Sequence, residues 1–224
     1  SVGINYKGER TLFVEHVKRD HDFNFENVSA KYIYLTSLGD VWEKAYKNTL
    51  GFIDNNNTKL AFNPGTLQIE KKDKLITDII EKTDYLFLNK QEAEKILYSE
   101  ILNLTNNNHS HIKKLLYGLR SLGAKNVIIT DSKNGSFLQN ENNNIYFLKA
   151  FDVEVIEKTG AGDAYTSGFL AAVIKGKTQE EAMIWGTLNS ANVIQKIGAQ
   201  EGLLTENEIK TKIIPLSSFY PEQL

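Results

Sequence analysis

The chain has 224 residues, with 26 Lys and Arg against 28 Asp and Glu and a formal net charge of −2. That balance gives no sign of a nucleic-acid-binding surface, and the absence of cysteine excludes both a disulfide framework and a thiolate metal site. No apolar run approaches the length of a membrane span or a signal sequence, so the expected setting is a reducing, cytoplasmic one.

At the front, SVGINYKGERTLFVEH alternates Ile4, Tyr6, Thr11 and Phe13 around Lys7-Gly8, which predicts a β-hairpin with a two-residue turn. His16 to Phe25 is polar and reads as irregular, with His16 and His21 on a solvated surface. Beyond it the chain settles into a strand and helix rhythm. Apolar runs at Lys31 to Leu35, Lys59 to Phe62, Tyr85 to Leu88 and Asn126 to Thr130 each end in a polar or Gly/Pro turn. Helical patterns fill Asp40 to Asn55, Lys71 to Lys82, Lys90 to Tyr98 and His109 to Leu122. Continuous apolar strands alternating with helices predict a parallel sheet covered on both faces, with ligands at the carboxyl ends of its strands.

A second hairpin is predicted from Ser136 to Gln139 and Ile145 to Leu148, around the Asn-rich 140–144. The apolar helix after Asp163 stops at Gly176, which suits a C′ glycine. Asn89 with Glu92, Thr178 with Glu181 and Thr205 with Glu208 have the spacing of capping boxes. Two tempting motifs fail. Gly176-Lys177-Thr178 resembles the end of a P-loop but follows a helix, and His109 and His111 have no third zinc ligand, so they read as an exposed helix start.

Glu157 to Gly168, EKTGAGDAYTSG, is where chemistry concentrates. A Gly-Ala-Gly run leading into Asp163 and an apolar helix leaves first-turn amides free at the positive end of the dipole, a place for an anion. Asp163 beside such a hole makes sense if the two act on different atoms, one holding a moving phosphoryl group and the other taking a proton from the attacking hydroxyl. On these residues alone, a glycine turn with an N-capping Asp is an equal reading.

Thr159 to Asp163, followed by Tyr165, Ser167, Gly168 and Phe169, resembles the C-terminal signature of the ribokinase-like (PfkB) carbohydrate kinases, usually written DTTGAGD. Here Glu157 stands for the usual Asp and Lys158 for the usual Thr. The resemblance implies a ribokinase-like three-layer α/β/α fold with a mostly parallel sheet. Residues 1–30 would be a partial β-hairpin lid and 31–224 the α/β nucleotide-binding and catalytic domain. It implies ATP-dependent phosphoryl transfer to a hydroxyl of a small-molecule sugar or nucleoside, with Asp163 as base and Gly160, Ala161 and Gly162 as the anion hole. Neither nucleic acid nor membrane is an expected partner.

The same resemblance assigns further positions. Asn89 would lie at the ATP phosphates and Glu92 would position magnesium through water. Thr130 to Gly135, TDSKNG, is similar to the family's T-x-G-x-x-G loop beneath the nucleotide, with Thr130, Ser132 and Gly135 as ATP contacts and Ser132 in place of the first glycine. Thr187 would lie near the adenine. Glu157, Thr159, Val193, Lys196 and Gly198 would ring a potassium ion. Asn63-Pro64-Gly65 reads as a structural turn near the site.

The resemblance begins well inside the family pattern, without the N-terminal third that supplies the first strands and most acceptor contacts. With Ser1 at the start and Met183 the only methionine, the sequence reads as processed or as a piece of a longer one. Missing strands would expose sheet edges unless a partner covers them, and a homodimer is one such arrangement. The alternative function is a truncated, non-catalytic nucleotide-binding or association fragment of the same fold.

Overall fold

The computed structural model describes residues 2–6, 9–13, 19–97, 108–214 and 219–224. It opens with an antiparallel hairpin of β1 (Val2–Tyr6) and β2 (Glu9–Phe13), in register from Val2 opposite Phe13 to Tyr6 opposite Glu9. The predicted Lys7-Gly8 turn lies outside the described residues, as does His16. There follow β3 (Tyr32–Thr36), α1 (Glu43–Asn55), β4 (Lys59–Asn63), α2 (Thr66–Glu70), α3 (Lys74–Glu81), β5 (Tyr85–Asn89), α4 (Lys90–Ile96), α5 (Asn108–Ser121) and β6 (Asn126–Thr130). Next come β7 (Ser136–Gln139), β8 (Ile145–Leu148), α6 (Ala161–Ile174), α7 (Gln179–Val193), α8 (Glu206–Ile213) and the two-residue β9 (Glu222–Gln223).

Strands β3 to β9 hydrogen-bond in chain order as one seven-stranded, mostly parallel sheet. Tyr32 pairs Lys59 and Ala61 pairs Tyr85 in the parallel part, while β9 closes the other end antiparallel to β8. By contact density the chain forms two compact units. One holds Ser1–Glu15, Thr130–Phe137 and Tyr146–Leu224, and the other His16–Ile129 with Leu138–Ile145.

In the second unit β5 and β6 are buried on both faces, as their unbroken apolar runs require: Leu86, Phe87, Leu88, Val127, Ile128 and Ile129 are all inside. Helix α1 packs on α3, and α4 packs on both α2 and α5. Helix α3 turns Leu75, Ile76, Ile79 and Ile80 inward, and its Asp73 cap accepts from the Leu75 amide at 2.8 Å. Trp42, Tyr46 and Phe62 form a buried edge-to-face chain with centroids 4.8 and 5.7 Å apart. The buried Asp84 ties three strands together, accepting from the Leu60 amide and from Lys125 Nζ, both at 2.9 Å.

Several expected boundaries move, each for a local reason. Helix α1 starts at Glu43 instead of Asp40, because Gln68 Nε2 holds Leu38 O at 2.7 Å and Lys71 Nζ reaches Asp40 O, keeping that stretch a loop. The helix expected over Lys71 to Lys82 starts later, as α3 at Lys74, because Lys72 turns to φ +49° and Asp73 caps it; the short α2, ending at Glu70, was not expected. His111 is no exposed helix start. It is half-buried and its Nε2 lies 2.8 Å from Glu94 Oε1, pinning α5 to α4.

In the first unit α6 and α7 are buried around most of their circumference and pack on each other, and α7 packs on α8. Asn189, in the middle of α7, donates to Ala164 O at 2.7 Å and accepts from the Leu204 amide at 2.9 Å. Near the C-terminus Phe219 stacks on Phe151 with centroids 4.0 Å apart, just before β9. Among the described residues no helix is long and apolar enough to cross a membrane.

Candidate active site

The start of α6 is built on one left-handed residue. Gly160 has φ +78°, and a Cβ there would lie 2.5 Å from Ala199 O, so the position needs glycine both for its backbone and for the loop packed against it. Its carbonyl accepts the first helical bond, from the Ala164 amide at 2.8 Å. Ala161 turns its amide back to Lys158 O at 3.3 Å. The amides of Gly162 and Asp163 have no partner among the described residues, and no side chain caps this helix.

Gly162 differs from Gly160. Its φ is helical, and a Cβ there would meet nothing within 4 Å. The fold therefore does not require glycine at 162, whereas an anion approaching the two open amides would. Asp163 is exposed on the same turn. An open pair of donors, room above Gly162 and an acid beside them fit the terminal phosphate of a nucleotide and a hydroxyl to be deprotonated.

Just before it, Glu157 is half-buried and doubly held. Its Oε2 accepts from the Gly198 amide at 2.9 Å, its Oε1 accepts from the Thr159 hydroxyl, and its own amide bonds Ile194 O at 3.1 Å. Val193 O is taken by the Lys196 amide at 3.0 Å in the same turn. So Glu157, Thr159 and Gly198 do come together, next to the 193–196 turn. Gly198 offers its N–H to the carboxylate.

The 131–135 turn after β6 is a compact 3₁₀ loop. Asp131 N–H donates to Gly135 O at 2.8 Å, and Gly135 N–H returns to Ser132 O at 3.1 Å. Ser132 has φ +51°, which is the physical reason glycine would be at ease there and a Cβ is not. Gly135, at φ +95°, lies against β8: a Cβ would fall 2.2 Å from Leu148 O. Thr187, in α7, is 8% exposed and its hydroxyl is buried with no partner among the described residues. An orphaned hydroxyl of this kind is what a bound polar ligand would satisfy.

Asn89 and Glu92 belong to the other unit. They form a full capping box at the start of α4: Asn89 Oδ1 accepts from the Glu92 amide at 2.9 Å and Glu92 Oε2 from the Asn89 amide at 3.0 Å. Among the described residues no cluster of three His, Asp or Glu side chains could hold a metal on its own. Two contributors escaped sequence reasoning. Ala199 braces Gly160, and Ser136 meets Tyr165; neither small residue carries any pattern of its own.

An uncapped helix start with an adjacent acid, on a mostly parallel α/β sheet, suits phosphoryl-transfer chemistry. The chain belongs to the pfkB family of carbohydrate kinases, whose sequence model matches residues 4–206. It is 29% identical over 171 residues to a nucleoside kinase of Methanocaldococcus jannaschii, covering 76% of this chain and 49% of that protein. It is 34% identical over 136 residues to an ATP-dependent 6-phosphofructokinase of Thermoanaerobacterium thermosaccharolyticum, covering 61% of this chain and 39% of that protein. The crystal structure of the M. jannaschii nucleoside kinase, described as an archaeal member of the ribokinase family, superposes with a TM-score of 0.65 at 26% identity, over 84% of this chain and 57% of the other. The chain thus spans about half the length, or less, of these two curated relatives.

Proposed function

We propose that this chain carries the nucleotide and catalytic portion of an ATP-dependent kinase acting on a hydroxyl of a sugar or nucleoside. The observation that carries the reading is the open start of α6, where two unpartnered amides and the exposed Asp163 share one turn. The names of its relatives support the donor and the acceptor class: a nucleoside kinase and an ATP-dependent sugar-phosphate kinase.

The Gly162 and Asp163 amides hold the γ-phosphoryl oxygens as charge builds on them, and the helix dipole adds to their field. Asp163 aligns the acceptor hydroxyl and takes its proton as the oxygen–phosphorus bond forms, while ADP departs with the bonding pair. Thr130, Ser132 and Gly135 support the nucleotide from the 131–135 side, and Thr187 offers its orphaned hydroxyl toward the base. Glu92, with Asn89, is the residue proposed to steady magnesium through water; the ion, when bound, screens charge on the phosphates. Glu157, Thr159, Val193, Lys196 and Gly198 are the proposed surround of a potassium ion. Both Glu157 oxygens already accept, from the Gly198 amide and the Thr159 hydroxyl, so a cation there would share them with these donors.

A second reading, nucleotide binding without transfer, draws on Ser132, whose Cβ in a left-handed position stiffens the loop where the family pattern has glycine. The two separate on one experiment. Mg-ATP should raise the melting temperature under both, but transfer of γ-phosphate to a panel of sugars and nucleosides is expected under the first alone. Asp163→Asn should keep the thermal shift and lower turnover on the order of a hundredfold. An Asn variant as fast as the parent removes Asp163 from its role, and a parent with no thermal shift removes both readings.

A further inference from the structure

Tyr165 stands two residues beyond Asp163, and its hydroxyl donates to Ser136 Oγ at 3.0 Å. Ser136 directly follows Gly135, the last residue of the 131–135 turn. Both side chains are buried, at 4% and 3% exposure, and Ser136 is the partner that the sequestered phenol needs. Burial pushes that phenol well above its ordinary range, so it remains a neutral donor.

The ring has little freedom to let the hydroxyl wander. A Cβ on Gly186 would lie 3.2 Å from ring atoms Cδ2 and Cε2 and 2.8 Å from Tyr165 O, so α7 approaches here at glycine distance. On its own helix Tyr165 stacks over Phe169, with centroids 6.3 Å apart and planes 25° from parallel. A rigid aromatic clamped between two helices, ending on the strand that begins at the loop, transmits the rotation and rise of α6 to that loop.

We propose that Tyr165 is a positioning residue: through its hydrogen bond to Ser136 it fixes the Gly162 and Asp163 amides relative to the 131–135 turn. The proposal rests on the kinase reading for its consequence, because both ends of the link belong to the proposed nucleotide site. Its geometry lies within one unit of the fold. Neither Tyr165 nor Ser136 touches the nucleotide in this account.

Three variants test it: Tyr165→Phe, Ser136→Ala and the two combined. Each single change leaves one buried polar atom unpaired and should lower the melting temperature, while the double change removes both and should restore it. Affinity for Mg-ATP by titration calorimetry should fall about tenfold in the singles and stay low in the double, because the link is gone in all three. Without nucleotide, amide hydrogen exchange at Ala164, the first bonded amide of α6, and across 131–135 should quicken in all three. If affinity and exchange both return to the parent's values in the double variant, the pair is only a packing contact and the proposal falls. If the parent binds no Mg-ATP, the kinase reading fails by itself, and exchange still decides the link: unchanged rates in the three variants overturn it.

Discussion

Helices α6 and α7 are neighbours of nearly equal length, 14 and 15 residues, both buried around most of their surface, yet they begin in opposite ways. Helix α7 closes its own first turn. Thr178 Oγ1 accepts from the Glu181 amide at 3.2 Å and Glu181 Oε2 from the Thr178 amide at 3.0 Å, so two donors are spent within the chain. Helix α6 opens on a left-handed glycine with no side-chain cap and keeps the Gly162 and Asp163 donors outward. An uncapped start forgoes about 1 kcal/mol that a good cap supplies. Under the proposed function, those two donors are the ones left for the nucleotide's phosphate.

The contrast can be broken hardest at Gly160. Gly160→Ala combines an L residue at φ +78° with a Cβ driven into Ala199, and should cost about 3 kcal/mol in chemical denaturation. A loss near zero would mean the turn is not what fixes the helix start. Gly162→Ala, two residues on, should do the reverse. It meets nothing and gains helix propensity, so stability should rise by about 0.5–1 kcal/mol while Mg-ATP affinity drops about tenfold. If affinity holds, the space above Gly162 is not where a phosphate sits.

On the closed helix, Thr178→Ala should lower stability by about 1 kcal/mol and leave nucleotide affinity at the parent's value. The smallest effect is a pH dependence on the surface where α8 meets α6. Hydrogen bonds from Lys175 and then Lys210 hold the Glu206 carboxyl down to about 2, from an ordinary 4.5. A depressed acid contributes stability above its unfolded value, and this is lost as pH falls from 4.5 toward 2. The group is exposed, so Glu206→Gln should flatten only a shallow acid slope, and added salt should flatten it likewise.

Much of this was written locally in the sequence. The apolar runs of β5 and β6, the three capping boxes and the Gly-Ala-Gly lead into α6 all depend on residues within a few positions of each other. Their chemistry is visible one window at a time. What could not be read depends on partners far along the chain or on backbone strain in ordinary residues. Lys72 at φ +49° delays the start of that helix from the expected Lys71 to Lys74, and nothing about a lysine announces that. The clasp of His111 on Glu94 and the brace of Ala199 under Gly160 are set by tertiary packing. Sequence pattern offered Ala161 as a donor, yet its amide folds back on Lys158, and only the folded backbone separates it from Gly162.

The short β9 has a bearing on how this protein behaves when crowded. Without it, β8 would offer a row of unpaired backbone groups to any passing strand, the template on which fibrous aggregates grow. With it, the last rung is two residues long, carries the charge of Glu222, follows a proline that has no N–H to lend, and is moored by Phe219 on Phe151. Clipping the final six residues should leave the start of α6 untouched and instead show itself as turbidity at high concentration.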